Sequence, residues 1–195
     1  MSADAQSDPE AVFEELRSTY AAVEALKASF TQKVQTPFGE TYEASGQLLV
    51  SGDKFRLETS EQIIVADGET TWIHDLEAGQ VLISPIEHDQ TTFSPTTFLL
   101  QLDDSYRAVE SGTTTLDGDS VQTVHVRSEA PDASFTSLIF WYDEASKHIR
   151  RVKAEDVNDT VLTFDLHDVV LDASVPDGTF AFEIPDDVEV VDLRS

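Results

Sequence analysis

Five histidines, His74, His88, His125, His148 and His167, are the side chains best suited to holding a metal ion, but they are scattered without ligand spacing. Asp117-Gly118-Asp119 offers two carboxylates and lacks the remaining oxygen-ligand positions of a calcium loop, so it reads as a hairpin turn. Lipid hydrolysis would need a nucleophile with its base, or a metal. No Gly-x-Ser-x-Gly, His-Glu-x-x-His or phosphate-binding glycine loop occurs. Cysteine is absent, which removes disulfides, thiolate metal sites, a Cys nucleophile and a lipid-modified N-terminal Cys. The chain is expected to bind and not to catalyse, without metal or cofactor. Arg150-Arg151-Val152-Lys153 forms a short basic island, either a docking patch or alternating surface charge.

What remains is apolar. Phe135-Thr136-Ser137-Leu138-Ile139-Phe140-Trp141-Tyr142 places large apolar side chains on both faces of the strand it should form. An antiparallel strand usually buries one face and wets the other, so a two-faced strand needs two coverings. Leu48-Leu49-Val50, Ile63-Ile64-Val65-Ala66, Val81-Leu82-Ile83 and Val169-Val170-Leu171 repeat the pattern. One long amphipathic helix offers too little cover. An apolar cavity under that helix is the leading reading, and a tightly packed curved sheet is its competitor.

The elements that would shape such a hollow are legible from periodicity. Ser7-Asp8-Pro9-Glu10 combines a capping side chain, a proline in the first turn and an acid near the positive end of the dipole. The helix is expected over about residues 9 to 27, with Phe13, Leu16, Tyr20 and Val23 on one stripe, widened by Val12 and Leu26. From Phe30 the period changes to two. Strands are expected near 29–36, 41–51, 54–59, 62–66, 70–74 and 80–84, then near 106–115, 120–128, 148–155 and in the 135 and 160 regions. Asp67-Gly68, Glu77-Ala78-Gly79, Asp117-Gly118-Asp119 and Asp143-Glu144-Ala145 are the turns between them. Ser94-Pro95 starts a short second helical flap, residues 96–102, carrying Phe98, Leu99 and Leu102. A last hairpin is expected through Pro176-Asp177-Gly178 into Phe180 and Phe182. The fold class is α+β: an incomplete, strongly curved antiparallel β-barrel with an N-terminal helix and a second helical segment as lid.

These landmarks resemble a family, the periplasmic outer-membrane lipoprotein carrier proteins of the LolA type. Ser29-Phe30-Thr31-Gln32-Lys33-Val34 after the first helix looks like that family's opening strand. Gly46-Gln47-Leu48-Leu49-Val50 leading to Phe55, Val65-Ala66-Asp67-Gly68 leading to Trp72, Pro95 to Leu100, and Phe180-Ala181-Phe182 leading to Pro185-Asp186-Asp187-Val188 follow in the family's order over roughly residues 9 to 192. The resemblance implies a carrier that takes acylated lipoproteins from an inner-membrane ABC transporter and passes them through the periplasm to an outer-membrane acceptor. It places Phe13, Leu16 and Tyr20 on the lid helix, Phe98, Leu99 and Leu102 on the second flap, and Leu48, Val50, Phe55, Leu57, Val65 and Trp72 on the acyl-binding wall. The family's arginine latch, part of an Arg-Pro pair before Phe55, is replaced here by Ser51-Gly52-Asp53-Lys54, with Lys54 or Arg56 as the candidate substitute. Two other classes remain open on the residues: a lipid-sensing regulatory module of the same architecture, and an enzyme acting on lipids.

Composition bounds all three. With 195 residues and 40% hydrophobic content, the chain is expected to form one domain over residues 1–195, with 1–8 as a flexible N-terminus. No apolar run approaches the ~20 residues that span a bilayer. Met1-Ser2-Ala3-Asp4 does not look like a signal peptide, so both an exported domain with its signal removed and a cytosolic protein fit. Acids outnumber Lys and Arg by 38 to 12, for a net charge of −26, which opposes binding to nucleic acid or to anionic headgroups by charge and favours a monomer at low salt. The acids are spread along the whole chain, the pattern of a halophilic surface. Salt at 1 M shortens the Debye length to roughly 3 Å and relieves such self-repulsion. The melting temperature, measured by calorimetry in increasing KCl, is therefore expected to rise steeply, and a flat response removes the halophile reading.

Overall fold

The computed structural model describes residues 8–86, 95, 99, 105–131, 133 and 135–194. Helix α1 (Pro9–Ala21) is followed by β1 (Leu26–Gln35), β2 (Thr41–Ser51), β3 (Lys54–Thr59), β4 (Gln62–Ala66), β5 (Thr70–Asp75) and β6 (Gln80–Pro85). Then come β7 (Tyr106–Leu116), β8 (Asp119–Ser128), β9 (Phe135–Tyr142), β10 (Ile149–Asp156), β11 (Val161–Leu171) and β12 (Glu189–Asp192). Their order in the sheet is β12-β6-β5-β4-β3-β2-β1-β11-β10-β9-β8-β7. The order does not close on itself, which fits an incomplete barrel with an N-terminal helix. Pro95 and Leu99, in the expected flap, are helical and buried, whereas Phe98 and Leu102 lie outside the described residues.

Helix α1 starts where expected. The Asp8 carboxylate accepts from the Glu10 N–H at 3.2 Å, and Pro9 supplies the preset backbone of the first turn. It stops at Ala21, six residues short of the expected end. Leu26 satisfies both a helical stripe and the first position of the Leu26, Ala28, Phe30 alternation, and the strand prevails because distant backbone captures the junction. The Glu24 N–H donates to Asp172 at 3.0 Å, and the Ala25 carbonyl accepts from the Ala173 N–H at 3.2 Å.

By contact the chain divides into two compact units. Among the described residues the first unit holds α1 and β7 to β10, the second holds β3 to β6 and β12, and β1, β2 and β11 contribute to both. In the first, paired positions build parallel rows of buried side chains: Val124, Phe140, Val152 and Phe164 in one, Val126, Leu138, Ala154 and Leu162 in the next. Helix α1 packs against β7 and β8. The doubled apolarity of β9 is therefore covered on one side only; Phe135, Ile139 and Trp141 on the other side are half-buried. Val169-Val170-Leu171 is not doubly covered either, with Val170 50% exposed.

In the second unit β4 is covered on both faces, since Ile64 and Val65 are both buried. The segment after β11 supplies one covering, and it is not the hairpin expected there. Pro176-Asp177-Gly178 does turn, but the Thr179 N–H returns to the Pro176 carbonyl at 3.3 Å and the Ala181 N–H to the Gly178 carbonyl at 3.0 Å, so the chain coils instead of reversing. Phe182 then stacks on Trp72 with ring centroids 6.2 Å apart. The final strand, β12, joins β6 in parallel, pairing Val190 with Val81.

Gly46 on β2 marks a close approach. A Cβ there would sit 1.9 Å from the Glu58 carbonyl oxygen of β3 and 3.1 Å from the Phe30 ring, and backbone cannot yield as a side-chain tip can. Gly46→Ala is expected to cost about 1–3 kcal/mol, the range of overpacking, read from the midpoint of urea unfolding.

Candidate functional site

On α1 the three stripe residues bury completely: Phe13, Leu16 and Tyr20 are 0%, 1% and 1% exposed. Polar ties hold the helix at its margins. Glu10 accepts from the Ala108 N–H at 2.9 Å and lies 3.9 Å from the Arg107 guanidinium, while Glu15 pairs with Lys147 at 3.1 Å. The exposed ion pairs are each worth little, on the order of 0–1 kcal/mol. One tie is buried: the Ile149 N–H of β10 donates to the Tyr20 hydroxyl at 2.7 Å. Burial pushes the Tyr20 phenol up to about 12, and the Ile149 hydrogen bond opposes that rise without cancelling it. Helix α1 is thus an apolar plate with a single interior anchor.

The six wall residues expected from the sequence do not share one face. Directly paired residues point the same way, and the register runs Leu48, Leu57, Ile64, Ile73 and Val50, Phe55, Ala66, Thr71. Val65 instead pairs with Arg56 and Trp72, on the opposite side. Leu48, Val50, Phe55 and Leu57 therefore form one buried face, whereas Val65 and Trp72 belong to the face covered by Phe182. The sequence reading missed Ile64, Ala66 and Thr71, the side chains that extend the first face; counting alternation across the Asp67-Gly68 hairpin would have found them. Thr71 and Ser84 are the polar side chains buried here, and they pair in register across β5 and β6.

The cations near the expected latch are accounted for differently. Arg56 pairs with Glu58 at 2.6 Å and donates to the Thr179 carbonyl at 3.4 Å, so it ties β3 to the coiled segment. Lys54 is exposed. The basic island is divided as well: Arg150 pairs with Asp119 at 3.0 Å, Arg151 with Asp165, and Lys153 lines a separate recess with His125. His74 meets Phe182 edge-on, with centroids 6.1 Å apart. His88 lies outside the described residues.

The chain matches, over residues 21–183, the family described as outer membrane lipoprotein carrier protein LolA. It is similar to an outer-membrane lipoprotein carrier protein of Chromohalobacter salexigens, 27% identical over 189 residues, with 91% of this chain and 85% of the relative covered. A protein of the same name from Chromobacterium violaceum is 28% identical over 184 residues, again with 91% and 85% covered. Among solved structures, an uncharacterized conserved protein from Thermus thermophilus matches with a TM-score of 0.59 at 14% identity, covering 93% of this chain and 99% of that one. The structure of MucB matches with a TM-score of 0.52 at 13% identity, covering 95% and 66%. At such identities these two likenesses speak for the fold.

Tyr20→Phe removes the acceptor of the buried Ile149 N–H while keeping the ring, and is expected to destabilise the chain by about 1–3 kcal/mol in chemical unfolding. The phenol also sets an alkaline limit. Its folded-state value lies near 12 against 10.0 in the free side chain, so its contribution is complete below about pH 10 and is lost as the pH rises through 12. The Phe variant should show a weaker loss over that window.

Proposed function

The chain belongs to the LolA family of outer membrane lipoprotein carrier proteins, and we propose that it is a periplasmic carrier that shelters the acyl chains of lipoproteins while they cross from the inner to the outer membrane. Membership in that family supports a lipoprotein-binding carrier role over catalysis. The proposed acyl-contacting side chains are, within the first unit, the α1 stripe of Phe13, Leu16 and Tyr20 and, within the second, the face of Leu48, Val50, Phe55 and Leu57 together with Leu99 of the flap. Phe98 and Leu102, on the same flap, belong to the proposal by sequence. Val65 and Trp72 do not, because they face the other way. The proposed partners are an inner-membrane ABC transporter as donor and an outer-membrane acceptor, with the carrier acting as a monomer.

One observation carries this reading: a helix whose apolar stripe is fully buried and whose polar ties are few, the buried Tyr20 anchor, the Glu10 bond from the Ala108 N–H and exposed ion pairs. Burying an acyl chain of ~16 carbons at ~0.8 kcal/mol per methylene offers on the order of 12 kcal/mol before costs. The bilayer offers the same term. Loading and release then depend on the small difference between protein and membrane, and a helix that closes on its own stripe subtracts its closing energy from cargo affinity. For a carrier that subtraction is useful, because a site much better than the membrane would never release its cargo. Among the described residues no helix is long and apolar enough to cross a membrane.

The test compares an N-terminally acylated lipopeptide with the same peptide lacking its acyl chains, titrated by fluorescence anisotropy. The acylated form should bind at least 100-fold more tightly, and equal binding overturns the proposal. Phe13→Ala, followed in parallel by thermal unfolding, is expected to change lipopeptide retention more than the melting temperature predicts; a proportionate loss of both makes Phe13 packing alone.

A further inference from the structure

Strands β8, β9 and β10 have a second face, turned away from the rows that carry Val124, Phe140 and Val152. On it lies a recess of about 300 Å³, built from two more cross-strand rows. One row is His125, Ile139 and Lys153; the next is Arg127, Ser137 and Glu155. Cations stand at one pair of diagonal corners, with Ile139 and Ser137 between them. At the strand spacings of a sheet, Arg127 and Lys153 are about 12 Å apart at their Cα atoms, so both long side chains reach a group placed over β9.

The charges here are unusual for this chain. Acids outnumber bases by 38 to 12, and among the described residues eight of the Lys and Arg form ion pairs, Lys33, Arg150 and Arg151 among them. Arg127 and Lys153 make none with a described carboxylate, although Glu155 lines the same recess. The recess therefore presents both signs of charge, Arg127 and Lys153 at one diagonal with Glu155 at a third corner and Glu110 opposite His125. Glu155 decides the class of ligand: it repels a bare polyanion and welcomes a cationic arm. We infer that this recess binds a phosphate ester bearing a short ammonium arm, of the phosphoethanolamine class, with the phosphate between Arg127 and Lys153 and the ammonium on Glu155. The site is separate from the acyl-binding reading and does not depend on it. Such a ligand could come as a free phosphomonoester or as the phosphodiester headgroup of a lipid.

His125 is the reporter. Its Nε2 shares a hydrogen bond of 2.9 Å with the Ser137 hydroxyl. Its pKa is held below the ordinary histidine value, first by burial and then by Arg127 and Lys153, against the opposite pull of Glu110 on β7 and Glu155 on β10. A phosphate that neutralises the two cations should remove their share of that depression and raise the value, while the larger share from burial stays.

The experiment follows the His125 ring protons by NMR at fixed ionic strength in KCl, with phosphoethanolamine, glycerophosphoethanolamine and inorganic phosphate as separate titrants. Saturable shifts with both amine esters are expected, at least tenfold tighter than with inorganic phosphate. The tighter of the two names the source, free ester or headgroup. The double variant Arg127→Gln, Lys153→Gln should lose at least tenfold in affinity for either ester. Glu155→Gln should weaken the amine esters while leaving inorganic phosphate bound as well or better. His125 shifts that stay flat with all three titrants, or inorganic phosphate binding as tightly as the esters, overturn the proposal, and neither result bears on lipopeptide binding.

Discussion

Cross-strand register is the constraint on which this protein depends. In an antiparallel sheet, paired residues share a face and neighbours along a strand do not, so once Leu48 sits opposite Leu57 the destiny of every side chain from β2 to β6 is set. The same rule makes β8, β9 and β10 serve two purposes. Val124, Val126, Phe140 and Val152 go to the buried face, and Arg127, Ile139 and Lys153 go to the recess on the other. A change on one face leaves the other in place, which lets one sheet carry a greasy surface and a charged one without either compromising the other.

Helix α1 is the element whose energetics matter most under the carrier reading. Burying Phe13, Leu16 and Tyr20 is worth about 1.5–3 kcal/mol for each side chain, far more than its peripheral ion pairs contribute. Such a helix is held by a non-directional force. It can exchange its contacts with the sheet for contacts with another hydrocarbon at little net change, provided the Ile149 and Ala108 N–H groups find new partners for the hydrogen bonds they give Tyr20 and Glu10. Those two directional contacts resist displacement.

Much of this architecture was legible in the residues. The expected bounds of β2, β3 and β4 are the observed ones, because Gly52 and Asp67-Gly68 break the alternation sharply and a glycine with positive φ fits each turn. Asp143 likewise closes the β9–β10 turn by accepting from Ala145 and Ser146. The misreadings share a cause, since each involves a contact made far along the chain. The end of α1 is decided by Asp172 and Ala173, well over a hundred residues away, and the stretch read as a final hairpin is decided by Trp72 and Arg56. The wall residues implied by the resemblance divide between two faces. Position within the family's order selects Val65 and Trp72, where alternation counted from Leu57 selects Ile64.

The two borders of the open sheet are guarded in different ways. At one, β12 is only four residues long and carries Glu189 and Asp192, so like charges discourage another chain from docking there. At the other, β7 runs for eleven residues through a series of threonines, but an irregularity between Ala108 and Glu110 distorts its ladder. Concentrated electrolyte mutes the first safeguard and leaves the second untouched. For a polypeptide this anionic, the longer and more adhesive border is thus the one whose protection is built into its shape, and it keeps that protection in brine.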